Sequence, residues 1–135
     1  MSAIPFPAPP ADSDAVVALR AEFRAFLAEQ LKDRSPRQRS DNWYGYDRAF
    51  SRAMGQAGYL GMTWPKQYGG AERSFLDRLV VTEELLGNSA PAGSHWVADR
   101  QSGPLLLKFG TEQQRQAILP RIVRGECYFS IGMSE

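Results

Sequence analysis

From Asp14 to Lys32 the apolar residues Val16, Leu19, Phe23, Phe26, Leu27 and Leu31 recur at intervals of three and four, with Ser13 just ahead of them. That spacing predicts one long amphipathic helix with Ser13 as its N-cap. A second face, Tyr46, Phe50, Met54 and Ala57, runs to Gly58, a residue type that tolerates the left-handed conformation closing a helix. Between the two, Arg34 to Asn42 is polar and contains Pro36, which predicts a loop. From Tyr59 to Arg73 the period disappears. Gly61, Pro65, Gly69 and Gly70 punctuate this stretch, while Trp64 and Tyr68 bring bulk that flexible linkers lack, so it reads as a structured loop.

Ser74 and Asp77 form a capping box with the shorter acid, and Leu76, Leu79, Val80, Glu83 and Leu86 carry a third helix to Gly87. Beyond the breaker at 88–93, Trp96 to Phe109 predicts a fourth helix, kinked or broken at Pro104 and ended by Gly110. Thr111 and Gln114 form a second capping box, opening a fifth helix to about Leu119, after which Pro120 starts a short turn. Glu126 to Ser134 then switches to alternation, the pattern of a β-strand. The expected fold is all-α, a helical bundle of about five to six helices that ends in one β-strand of a truncated second domain. A Pro-rich leader fills 1–12, the helical domain 13–126, and the strand 127–135.

With 135 residues, 43% of them hydrophobic, the chain can bury one core without staples. Sixteen Lys and Arg against fifteen Asp and Glu leave no basic stripe for a phosphate backbone, so nucleic acid is not expected as a partner. The single cysteine, Cys127, excludes an internal disulfide and suits a reducing compartment. No apolar run approaches the roughly 20 residues of a membrane span, and the N-terminus lacks a basic cluster followed by an apolar stretch. The expected location is the cytoplasm.

No constellation for catalysis stands out. His95 is the lone histidine and reads as a packed or surface residue rather than a base or ligand, and no metal site is expected. Cys127 reads as buried at the strand edge. Glu83 and Glu84 point about 100° apart on a helix, which suits one packed and one solvated acid rather than facing carboxylates. Gly69-Gly70 lacks the spacing and the Lys-Ser/Thr of a phosphate loop, so it reads as a turn. Trp96 and Leu105-Leu106-Leu107 read first as core; the alternative is an apolar face lining a tunnel for a fatty ligand.

Three segments in order carry a resemblance: GYLGMTWPKQYGG at 58–70, FGTEQQRQAILPRIVRGE at 109–126, and GMSE at 132–135. Together they resemble the N-terminal domain of the acyl-CoA dehydrogenase family, over nearly the whole chain from Ser13. The family's signature continues past that last glutamate with a Gly-Ser/Thr-Asp element, so the chain is expected to be part of a longer protein. The resemblance implies a helical domain followed by a β domain and a C-terminal four-helix domain, with FAD held between them. It implies α,β-dehydrogenation of an acyl-CoA thioester, with a carboxylate base from the C-terminal domain and therefore no catalytic residue in this chain. Ile131, Gly132, Met133 and Ser134 match the stretch that runs against the flavin, where a small hydroxyl residue stabilises charge developing on the ring. Trp96, Val97, Arg100 and Gln101 match the helix that borders the acyl tunnel. Relatives are homotetramers or mixed tetramers that pass electrons to a transfer partner. Acyl-CoA oxidases and flavin monooxygenases share the architecture, and a non-catalytic partner subunit or a free helical interaction module are further alternatives.

Overall fold

The computed structural model describes residues 12–132, and within them the chain is helical. Helix α1 spans Asp14–Leu31, with the Ser13 hydroxyl accepting from the Val16 amide. Its predicted stripe is the one that is buried: Val16, Leu19, Phe23, Leu27 and Leu31, with Phe26 packed beside them. Each such burial contributes about 1.5–3 kcal/mol, far more than any one cap. The segment expected to be a loop instead holds a short helix, α2, Pro36–Ser40. Ser35 and Gln38 make a reciprocal capping box there, and Pro36 sits in the first turn, where no donor is needed. Helix α3 runs Arg48–Gln56, capped by Asp47, so Tyr46 stands before the helix rather than on its face. Gly58 takes the expected left-handed conformation, φ +77°.

The 59–73 stretch is the structured loop its aromatics predict. Backbone hydrogen bonds from Arg73 to Met62 (2.7 Å), Glu72 to Trp64 (3.1 Å) and Trp64 to Gly61 (3.0 Å) fold it on itself around a single 3₁₀ turn, Lys66–Tyr68. Helix α4, Phe75–Gly87, begins at the predicted Ser74–Asp77 box and packs along α1. Their contact is sealed by Glu84, which accepts from Arg20 (2.8 Å) and twice from Arg24 (2.7 and 2.8 Å), while Glu83 stays at the surface. This is the packed and solvated pair expected of those two acids. The flanking guanidinium groups hold the Glu84 carboxyl below the usual carboxylate range, Arg24 more than Arg20, against the opposing effect of burial.

Pro104 does not break the fourth predicted helix. The helix widens instead into a π turn at Ala98–Ser102 and continues as α5, Gly103–Phe109. In an ordinary α-helix the proline ring would press on the carbonyl four residues back, at Arg100. The Gly103 amide reaches five residues back to Ala98, and the looser turn accommodates the ring. Helix α6, Glu112–Val123, starts at the Thr111–Gln114 box and runs straight through Pro120 rather than restarting there. Burial of Leu119, Ile122 and Val123 on both sides of the proline offsets the hydrogen bond it lacks.

Two apolar clusters result. One joins α1, α3 and α4 with Tyr59, Leu60 and Met62; the other gathers Trp64, Tyr68, Ala98 and the end of α6, with Cys127 and Phe129 packed against it. The expected β-strand is not seen: among the described residues Cys127 to Gly132 form no ladder. A strand exists only by pairing, and the 12–132 segment has no second extended segment for this one to pair with.

Candidate functional site

The π turn puts two consecutive charged residues, Asp99 and Arg100, where α4 and the 59–70 loop meet. Asp99 is buried, and its carboxylate accepts from the Gly61 amide at 2.7 Å, tying the loop to the π turn. Burial pushes its carboxyl above the usual range, opposed by the Gly61 hydrogen bond and by Arg78 and Arg100. Arg100 donates to the Thr82 hydroxyl on α4 and lies 4.4 Å from the Trp96 ring centroid, a cation–π contact. Burial and the neighbouring Arg78 both hold its guanidinium below its ordinary value. Next to it, Gly103 has no Cβ because Trp64 occupies that space, which lets the indole pack against the helix backbone.

Between α4 and the π turn with α5 lies a groove of about 440 Å³. Trp64, Phe75, Pro104 and Leu107 give it apolar walls; Arg78, Arg100 and Lys108 give it positive charge. The groove continues along α4 past Leu79 and Thr82. No Asp or Glu lines it among the described residues. Such a volume and mix suit a small organic molecule with an apolar body.

Of the residues expected at an acyl site, Trp96 and Arg100 are brought together by the stacking contact, and Arg100 lines the groove. Trp96 is half-buried, 5.1 Å from Trp43, and packs on the first cluster. Val97 is half-buried and Gln101 exposed; neither lines the groove. Of the residues expected at a flavin, Ile131 is 54% exposed and a Cβ on Gly132 would meet no other described atom within 4 Å. Met133 and Ser134 lie outside the described residues.

His95 is a packed residue. It is buried, its Nδ1 lies 2.8 Å from the Ser51 hydroxyl oxygen, and burial pushes its pKa down to about 4, with Arg100 adding to the effect. Among the described residues no cluster of three His, Cys, Asp or Glu could hold a metal, and no helix is long and apolar enough to cross a membrane. Sequence reasoning missed Arg78, Phe75 and Lys108. The only local signal was the Arg78–Thr82 spacing on one face of α4, which says nothing about the helix it faces.

This arrangement has known counterparts. A family model described as "Acyl-CoA dehydrogenase, N-terminal domain" matches residues 13–126. Acyl-CoA dehydrogenase FadE26 of Mycobacterium tuberculosis is 34% identical over 125 residues, covering 87% of this chain and 30% of that protein. Mitochondrial isovaleryl-CoA dehydrogenase of Bos taurus is 31% identical over 118 residues, covering 87% of this chain and 28% of that protein. Among solved structures, the Tcur3481-Tcur3483 steroid ACAD superposes with a TM-score of 0.78 at 33% identity, over 93% of this chain and 33% of that one. The ChsE4-ChsE5 complex of Mycobacterium tuberculosis gives 0.78 at 31%, over 95% and 32%. The chain thus spans about 30% of the length of the curated relatives it matches. With residues 13–126 matched by the family model and 87% of its length aligned at 34% identity to a relative, the chain belongs to the acyl-CoA dehydrogenase family, of which it carries the N-terminal helical domain.

Proposed function

We propose that this domain serves an FAD-dependent oxidoreductase that removes the α- and β-hydrogens of an acyl-CoA thioester. The single observation that carries the reading is the apolar-walled groove that Arg100 lines, in a chain of this family. Arg100, with Trp96 stacked on it, belongs to the acyl site in that groove, where apolar walls exclude water and orient the chain, and Val97 and Gln101 border the site from outside the groove. Ile131, Gly132, Met133 and Ser134 border the flavin, and the Ser134 hydroxyl is the donor that stabilises negative charge there. FAD, when bound, supplies the acceptor for the β-hydrogen as hydride. The base comes from outside this chain, in keeping with a groove that no Asp or Glu lines among the described residues.

Residues 127–135 begin the next domain of the longer protein. That protein is a cytoplasmic tetramer re-oxidised by an electron-transfer partner. The structural likeness to the ChsE4-ChsE5 complex favours a mixed tetramer over a homotetramer. A chimera of residues 13–135 with the downstream domains of FadE26 tests the reading. It is expected to bind flavin and to reduce a dye acceptor in the presence of acyl-CoA, whereas the 135-residue chain alone is expected to be colourless and inactive. A flavin-loaded chimera inert toward short, long and steroid acyl-CoAs would overturn the dehydrogenase reading. Stoichiometric flavin on the 135-residue chain alone would overturn the assignment of most cofactor contacts to other domains.

A further inference from the structure

Of the six partly buried arginines, Arg20, Arg34 and Arg115 are paired with carboxylates, while Arg73, Arg78 and Arg100 close no salt bridge among the described residues. Arg78 and Arg100 differ from Arg73 in lining one groove together. One buried acid, Asp99, shares a small interior void of about 10 Å³ with both arginines but does not line the groove, and one of its oxygens is taken by the Gly61 amide, so a single carboxylate stands against two guanidinium groups. Arg100 spends one donor on Thr82 and rests on the Trp96 ring, so its guanidinium is held in place with further donors unused. Lys108 adds a third positive charge at the exposed rim. Two half-buried cations side by side repel each other and lose hydration, a cost that a bound anion relieves. Trp64, Phe75 and Leu107 meanwhile offer apolar walls that a bare inorganic ion cannot use.

We propose that this groove binds an amphipathic carboxylate, its acid group held between Arg78 and Arg100 and its alkyl body against Trp64, Phe75 and Leu107. The carboxylate has two chemical sources, a free organic acid or the acid end of an acyl group that is a thioester at its other end. The site is defined by residues of this chain and needs neither flavin nor turnover, so it stands or falls separately from the dehydrogenase reading.

The test is a titration of the 135-residue chain with octanoate, octanol and inorganic phosphate, read on the Trp64 indole N–H signal by NMR. Octanoate is expected to bind at least tenfold tighter than octanol, the smallest effect of one charge-assisted hydrogen bond, and at least tenfold tighter than phosphate, which lacks the apolar body. Arg78→Gln is expected to cost octanoate tenfold and leave octanol unchanged. Arg78→Gln removes the charge without breaking a described side-chain hydrogen bond, whereas Arg100→Gln also loses the Thr82 and Trp96 contacts. Suberyl-CoA displacing octanoate, with octanoyl-CoA failing to do so, assigns the site to the acid end of an acyl thioester; octanoate binding that neither thioester displaces assigns it to a free acid. Equal binding of octanoate and octanol, equal binding of octanoate and phosphate, or no shift of the Trp64 signal with octanoate would each overturn the proposal.

Discussion

Helix α3 and the end of α6 approach so closely that glycine is required on both. A Cβ on Gly55 would stand 2.5 Å from the Val123 carbonyl oxygen; one on Gly125 would overlap the Ser51 carbonyl oxygen and lie 2.9 Å from the Arg52 amide nitrogen. The obstacles are backbone atoms, which cannot rotate away. Gly125 also has φ +67°. For Gly125→Ala, the left-handed conformation costs about 1–2 kcal/mol. Overpacking adds about 1–3 kcal/mol. The stiffer unfolded chain returns about 0.4–1 kcal/mol. The net loss is about 3 kcal/mol, or about 12 °C in melting temperature for a chain of this size. Gly58 and Gly87 are the internal controls. Gly58 has φ +77° but open space around a Cβ, so Gly58→Ala should lose only about 1 kcal/mol. Gly87 has open space and no positive φ, and Gly87→Ala should be neutral or stabilising by up to about 1 kcal/mol. Urea unfolding of the four proteins, followed by far-UV circular dichroism, measures the order. If Gly125→Ala is no less stable than Gly58→Ala, the close approach of α3 to the end of α6 is wrong.

Two further outcomes follow from buried charge. His95 has its pKa pushed down from 6.5 to about 4, so between those values the unfolded chain binds a proton that the folded chain does not. Its stability contribution is whole above pH 6.5 and is lost as the pH falls to 4, roughly 3 kcal/mol across the window. His95→Gln should flatten the dependence of the urea midpoint on pH between 4 and 7, and equal slopes in the two proteins would contradict it. Glu84→Gln leaves Arg20 and Arg24 facing a neutral amide, so it should destabilise several times more than Glu83→Gln, which stays within about 0.5 kcal/mol because Glu83 is half-exposed. Calorimetric melting compares the pair, and equal losses would mean that Glu84 is not the seal between α1 and α4.

What could be read along the chain was what local chemistry dictates. The caps at Ser13, Ser74 and Thr111 each satisfy orphan amides within three residues, and the α1 stripe and the turn at Gly58 are equally local, so all were legible before any fold was known. The same rules overlooked the Ser35–Gln38 box because polarity around Pro36 also suits a loop. They misjudged Pro120 because the penalty of a proline is local, while the burial that outweighs it comes from packing against residues far away in sequence. The resemblance named the family from three motifs whose order survives without any contact being known. The groove was invisible to it. Arg78 and Arg100 share that groove only because α4 packs beside the π turn, and a strand at 127–132 depends on a partner outside the described residues. Sequence alone decided where helices start and which faces turn inward, since those follow from spacing and hydrogen-bond arithmetic. Tertiary structure alone decided which charges meet across helices, since the electrostatics of burial depend on neighbours that the chain brings together only when folded.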